Sequence, residues 1–315
     1  MSKLVYLVNP KTSPVKRWLN ENEFEVVIGD GTASEEWLGK CWAMIPGKEP
    51  VTEKVLEKAS NLKLIIKKGV GLDRIDIEAC TRLRICVANT PFSNYISVAE
   101  HTIALLMAAA KQLYPISLAV RCDAPDTKCM YRCPPMELYG KTLSIIGLGN
   151  IGMRVAKFAA GLDMNVVGYA RHLEGRNIPG YIKLAHSMEE AVAAGDFVSL
   201  HVSGTKENRH LIGGAELALM KSSAILVNTT RGFVVDEAAL CRALTEKKLA
   251  GAALDVVEEE PLRADNPLQM MENVILTPHC GGYTLEANMR GYKECAEIIT
   301  QYALGIYPVT AANRV

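Results

Sequence analysis

The chain has 315 residues, its 35 Lys+Arg are balanced by 35 Asp+Glu, and hydrophobic residues make up 49% of it. That length suits about two domains, with enough apolar material for a sizeable core. Zero net charge argues against an electrostatic nucleic-acid binder, which carries a basic excess, and no stretch approaches the ~18 apolar residues of a membrane span. Residues 4–8 are a short apolar run that fits a first strand rather than the core of a signal peptide. The nine cysteines are an odd number with no repeat spacing, as expected for reduced thiols in a cytoplasmic protein. Cys122, Cys129 and Cys133 lie close together, but their spacing matches no zinc site, and no metal is expected.

In chain order, strands are expected at 4–8, 24–28, 41–45, 64–66 and 85–87, and helices at 14–20, 51–59 and 75–81. Alternation of this kind points to a parallel α/β sheet. Residues 97–118 read as one long helix with Val98, Ile103, Leu106 and Ala110, apolar on more than one face and so buried. A loop at 121–135, rich in Pro, Cys and Asp, comes next.

A second α/β series then opens. The apolar run Leu143-Ser144-Ile145-Ile146 leads into Gly147-Leu148-Gly149-Asn150-Ile151-Gly152, and residues 153–162 carry Val155, Phe158, Ala159 and Leu162 at helical spacing. Strand, glycine turn and helix are the context a dinucleotide fingerprint requires. Gly147 allows the tight turn, Gly149 lets a pyrophosphate approach the backbone, and Gly152 lets the helix pack close to the strand. The helix N-terminus, with Asn150 and Ile151, offers open N–H groups to phosphate. Further strands are expected at 165–168, 197–201, 224–228, 251–255 and 274–277, and a last helix at 285–303. That helix can return to the first series, which would make the dinucleotide domain an insertion.

Three strand ends in the second series carry polar residues: Asn228-Thr229-Thr230-Arg231-Gly232, Asp255 to Pro261, and Thr277-Pro278-His279. Ligands of open α/β sheets bind outside the carboxyl ends of strands. Reduction of a 2-keto acid needs a hydride donor, a proton donor and a hold on the carboxylate. Arg231 offers a planar fork of donors. His279 can supply the proton, because imidazole is the side chain that changes charge near neutral pH. Glu260 can bind the far side of that ring and set its tautomer.

The chain resembles the D-isomer-specific 2-hydroxyacid dehydrogenases, which include D-lactate, glyoxylate/hydroxypyruvate and D-3-phosphoglycerate dehydrogenases. The matching stretches are Lys68 to Asp73, Asn89-Thr90-Pro91, Ala99-Glu100-His101, Gly140 to Leu143, the fingerprint, Asn228 to Gly232, Asp255 to Pro261 and Pro278-His279, in family order. The resemblance implies that Arg231, Glu260 and His279 are the catalytic trio, that the Val70 and Gly71 amides cradle the substrate carboxylate, and that Asp255 holds the nicotinamide carboxamide. It implies a flavodoxin-like substrate domain of residues 1–98 and 286–315, interrupted by a Rossmann-like dinucleotide-binding domain of residues 99–285, and a homodimer. A non-enzymatic rival stays open, because the dinucleotide-sensing corepressors of the same fold keep the trio.

Three departures stand out. The acidic residue that the family carries at the end of the strand after the fingerprint is Ala170 here, followed by Arg171 and His172. Loss of a carboxylate that would repel a 2′-phosphate, with gain of Arg171, favours NADP over NAD. The family's His-x-Pro reads His201-Val202-Ser203, and the loop before Gly140 has cysteines in place of the usual Trp. In the phosphoglycerate branch an Arg helps bind phosphate at the place of Lys67, so a substrate with a second anionic group is one expectation.

Overall fold

The computed structural model describes residues 3–121, 134–173 and 175–315; Cys122, Cys129 and Cys133 lie outside the described residues. The chain separates into two compact units, Met1–Asn94 with Tyr283–Val315, and Tyr95–Gly282.

The first unit holds five parallel strands, β1 (Leu4–Leu7), β2 (Glu25–Ile28), β3 (Ala43–Ile45), β4 (Leu64–Lys67) and β5 (Cys86–Asn89), in the order β2-β1-β3-β4-β5. This is the flavodoxin-like order. Both faces are covered, so the strands are apolar almost throughout. Val5, Leu7, Ile45, Leu64 and Ile66 face the helices Val15–Asn20 and Leu285–Ala303, where Tyr292, Cys295 and Ile299 receive them. Tyr6, Met44, Ile65 and Val87 point the other way, onto Leu38, Leu56 and Ala79.

The helix expected at 51–59 shrinks to Glu53–Leu56, because Val51 is drawn into an extended bridge with Ile75. The next helix starts at Ile77, because the Asp76 side chain accepts from the Ala79 N–H at 2.9 Å and caps it there. A short helix, Glu35–Leu38, has no counterpart among the expected elements.

The second unit holds seven parallel strands, β6 (Thr142–Ile146), β7 (Asn165–Tyr169), β8 (Ile182–Leu184), β9 (Phe197–Leu200), β10 (Ile225–Asn228), β11 (Gly251–Leu254) and β12 (Val274–Leu276). Their order is β12-β11-β10-β9-β6-β7-β8. The order reverses between β6 and β9, which is the switch point where doubly wound sheets open a ligand crevice. The helices Tyr95–Ala110 and Asn150–Ala160 cover one face, through Leu105, Leu106, Val155 and Ala159 against Leu143, Ile145, Ile225 and Val227. The helices Met188–Ala194 and Glu237–Thr245 cover the other, against Ile146, Leu200, Leu226 and Leu254.

The single helix expected at 97–118 is two helices, Tyr95–Ala110 and Leu113–Arg121, bent by 61°. Gln112 at φ 53° makes the corner, and Pro115 has no N–H with which to carry the first helix through it. Among the described residues no single helix is long and apolar enough to cross a membrane.

Candidate active site

The glycine turn comes directly after β6, at the switch point. Gly147 has φ 105°, and a Cβ there would overlap the His201 carbonyl after β9. A Cβ on Gly152 would overlap the Gly147 carbonyl and press on Ile145. Gly149 differs from both, since no atom lies within 4 Å of where its Cβ would be. Two of the glycines therefore close the turn and the third leaves its outer side open. The helix begins at Asn150, earlier than the expected 153, and no side chain caps it. Its first-turn N–H groups, including those of Asn150 and Ile151, are left for an outside acceptor. An open backbone edge and an uncapped helix start fit the pyrophosphate of a dinucleotide.

At the end of β7, Ala170 is half-buried, and Arg171 and His172 are exposed. Arg171 donates to the Asn208 side-chain oxygen, and the Asn208 amide donates on to Ser203 O at 2.8 Å. The structure adds Arg176, which sequence reading misses. Its Nη1 donates to Leu148 O inside the glycine turn at 2.6 Å. No local pattern marks a loop arginine as returning to a turn so far before it. His201 is buried, with Nε2 at 2.8 Å from Ser199 Oγ, and burial pushes its pKa down to about 3, so the ring is neutral.

The loop after β10 is shaped by Asn228. Its side-chain oxygen accepts from Thr230 N at 3.0 Å and Thr230 Oγ1 at 2.7 Å, and its amide donates to Arg231 O at 3.0 Å. Such Asx turns are an established use of Asn, and here the turn orients Arg231. Arg231 Nη1 donates to Thr230 O at 2.8 Å, and the side-chain stem runs beside Gly204. The buried Thr229 hydroxyl shares a hydrogen bond of 3.0 Å with Thr102, which ties this loop to the helix Tyr95–Ala110.

His279 and Glu260 come from separate strand ends and meet: Nδ1 and Oε2 are 2.8 Å apart, with both side chains partly open to solvent. The pairing leaves Nε2 as the ring atom facing away from Glu260. The backbone of His279 sits at φ 52°, and its N–H donates to Asp255 O at 2.8 Å and Thr277 O at 3.0 Å. A non-glycine residue in the left-handed region costs about 1–2 kcal/mol, and such costs gather where a side chain must be aimed.

Asp255 sets that loop. Its Oδ1 accepts from Thr277 Oγ1 at 2.5 Å and Cys280 N at 2.9 Å, and its Oδ2 accepts from Gly281 N at 2.9 Å. His101 Nε2 stands 3.3 Å from Oδ1. Burial would raise the pKa of this carboxyl, but the hydrogen bonds from His101, Thr277, Cys280 and Gly281 outweigh it and hold the value at about 2.

In the first unit, Lys67 ends β4, and its ammonium donates to Gly47 O at 3.3 Å. The turn beyond it is held at Gly69 (φ 102°), whose N–H donates to Thr90 Oγ1 at 2.7 Å. Asn89 donates to Val70 O at 2.7 Å. Neither the Val70 nor the Gly71 N–H donates to any group among the described residues. Lys68 is held apart from the turn, with its ammonium on Asn288 Oδ1 at 2.5 Å and 4.4 Å over the Tyr292 ring.

Comparison with known proteins gives this geometry a context. The family model "D-isomer specific 2-hydroxyacid dehydrogenase, NAD binding domain" matches residues 103–281. The D-3-phosphoglycerate dehydrogenase of Methanocaldococcus jannaschii is 42% identical over 286 residues, which cover 89% of this chain and 54% of that protein. The chain therefore spans about half the length of that relative. The glyoxylate reductase of Aeropyrum pernix is 40% identical over 265 residues, covering 82% of this chain and 79% of its own. Among solved structures, an acyclic imino acid reductase in complex with NADPH and D-Arg has a TM-score of 0.88 at 28% identity, covering 98% of this chain and 100% of that one. The D-lactate dehydrogenase of Aquifex aeolicus, complexed with NAD and lactic acid, has a TM-score of 0.83 at 29% identity, covering 96% of each chain. With more than half of its length matched by the family model, and with a relative of similar size at this identity, the chain belongs to the D-isomer specific 2-hydroxyacid dehydrogenase family.

Proposed function

We propose that this chain is a dehydrogenase of its family's kind, interconverting a small 2-keto acid and a D-2-hydroxy acid with a nicotinamide dinucleotide. The observation that carries the reading is the His279–Glu260 pair at 2.8 Å on a backbone held at φ 52°. Glu260 holds the Nδ1 side of the ring and sets its tautomer and orientation, so that Nε2 is the ring atom that passes a proton to the substrate oxygen. Arg231 binds the substrate carboxylate and steadies charge that develops on that oxygen. The Val70 and Gly71 N–H groups are proposed as carboxylate donors, and Lys67 as a contact to the substrate's far end. The dinucleotide would be held at its phosphates by Gly147, Gly149, Asn150, Ile151 and Gly152, at its ribose by Ala170, Arg171 and His172, and at its nicotinamide by Thr229 and Asp255. When bound, it supplies the hydride.

NADPH is the proposed preferred donor. Ala170 removes the repelling carboxylate, Arg171 follows it directly, and Arg176 brings a second cation to the glycine turn. The protein is proposed to be cytoplasmic, in keeping with free thiols at all six described cysteines. It is also proposed to be a homodimer. The helix Leu113–Arg121 exposes Leu113, Tyr114, Leu118 and Val120, an apolar patch of the kind that marks an interface. The test is a panel of pyruvate, 2-ketoisocaproate, hydroxypyruvate and 2-oxoglutarate with NADPH and NADH, followed by loss of nicotinamide absorbance. Turnover of at least one, faster with NADPH, is expected. Dinucleotide binding without turnover of any would favour the corepressor-like rival.

A further inference from the structure

Three side chains from separate segments of the second unit converge beside His279. His101 comes from the helix Tyr95–Ala110, Asp255 from the end of β11, and Cys280 from the loop after β12. One ligand atom from each, an imidazole nitrogen, a carboxylate oxygen and a sulfur, lies within 4.8 Å of the other two. His101 Nε2 and Asp255 Oδ1 are 3.3 Å apart. A tetrahedral zinc shell with Zn–N and Zn–O bonds near 2.0–2.1 Å has N-to-O edges of roughly 3.3–3.4 Å. This pair therefore already stands at coordination spacing, and the sulfur needs only a short approach.

The shielding is also suitable. The Asp255 side chain is 3% exposed and that of His101 21%, while Cys280 is half-buried and keeps one side toward solvent. Imidazole, carboxylate and thiolate together suit zinc and cadmium far better than magnesium or calcium, which take oxygen ligands. Cysteine spacing along the chain does not report such a site, because its ligands come from three distant segments.

We infer that His101, Asp255 and Cys280 form a binding site for a thiophilic divalent cation, of which zinc is the representative, and that its occupation competes with the dinucleotide for Asp255. Binding forms a metal–sulfur bond and releases the Cys280 thiol proton to solvent; nothing is oxidised or reduced. The cation displaces the Thr277 hydroxyl from Asp255 Oδ1 and from His101 Nε2, 3.1 Å away, and the Cys280 and Gly281 N–H groups continue to hold the carboxylate, as neighbouring donors do for metal-ligating carboxylates. The competition rests on the proposed hold of Asp255 on the nicotinamide; the metal site itself does not.

The experiment uses the full chain, free of any affinity tag and reduced, with cobalt(II) as the probe. The parent is expected to develop a near-ultraviolet thiolate-to-cobalt charge-transfer band that saturates at one cobalt per chain. Cys280→Ser should lose the band while its thermal unfolding stays that of the parent. His101→Gln should weaken cobalt binding by about tenfold or more. A band that persists in Cys280→Ser, or a parent with no band at millimolar cobalt, overturns the site. In a second arm, NADPH binding is followed by nicotinamide fluorescence with and without zinc. Zinc should weaken it about tenfold or more in the parent and leave Cys280→Ser unchanged. Cobalt binding with unmoved NADPH affinity overturns the competition and leaves the site standing. A chain that binds no NADPH at all counts against the proposed function, and the cobalt arm still decides the site.

Discussion

The two units use the same parallel α/β layering and differ in how the chain leaves the glycine turn. In the first, the turn after β4 presents the Val70 and Gly71 N–H groups, and the next helix, Ile77–Arg82, starts well beyond it behind its own Asp76 cap. In the second, the turn after β6 runs straight into the uncapped helix Asn150–Ala160. Two isolated amides suit a compact anion such as one carboxylate. An open turn fused to a helix start adds the helix dipole and suits a larger, more highly charged group. Under the proposed function, the distance from the turn to the next helix, more than the turn itself, would set the size of anion each unit can take.

The sharpest way to break this comparison is within the fused turn. Gly152→Ala should cost about 3 kcal/mol of stability, at the upper end for overpacking, and abolish dinucleotide binding, because its Cβ overlaps the Gly147 carbonyl. Gly149→Ala should leave thermal unfolding unchanged and weaken only dinucleotide binding. Equal melting temperatures for the two variants would contradict the division of labour among the glycines.

Next in size, His279→Ala should lower keto-acid turnover by ~10²–10⁴-fold, with dinucleotide affinity unchanged. Near-normal turnover would remove His279 as the acid. Arg231→Lys should lower kcat/KM by about tenfold or more, since a lysine offers a point charge in place of a fork; a change under about threefold (~0.7 kcal/mol) contradicts a bidentate hold. Smaller again, Ala170→Asp with Arg171→Leu should move preference from NADPH toward NADH, measured as the ratio of kcat/KM values; a parent that already prefers NADH refutes the reading of β7. The smallest effect concerns the first unit. Lys67→Ala should raise KM for 2-oxoglutarate more than for pyruvate, and equal KM values in parent and variant would show that Lys67 has no part in binding a second anion.

Much of the fold is legible in the sequence, for identifiable reasons. The helix Leu285–Ala303 can be read to its ends because Thr284 caps it through the Ala287 N–H and its apolar positions recur at helical spacing. The strands of both sheets are nearly continuous apolar runs and can be placed to within a residue or two. The strand β8 escapes such a reading. It has three residues, lies at the sheet edge, and exposes Lys183 and Leu184, so no periodic signal exists. The break at Gln112 escapes it because apolarity continues through the corner, although Pro115 is an available warning. At the site, strand-end positions are enough to anticipate the pairing of His279 with Glu260. The Asn228 turn closes within three residues and is open to a local reading, whereas the Arg176 bond to Leu148 and the convergence of His101 with Asp255 depend on three-dimensional return of the chain, which spacing along one dimension does not encode.

The discontinuity of the first unit has a consequence for synthesis. One face of its sheet, with Val5, Leu7, Leu64 and Ile66, is covered by Tyr292, Cys295 and Ile299 from the last long helix. Lys68 is likewise seated on Asn288 and Tyr292. A nascent chain emerging N-terminus first presents those strands long before their cover exists, whereas Tyr95–Gly282 is continuous and can fold as soon as it is out. That sheet face is thus buried only once residues 285–303 have been made, and in the interval it is where a chaperone would be needed and where aggregation would begin.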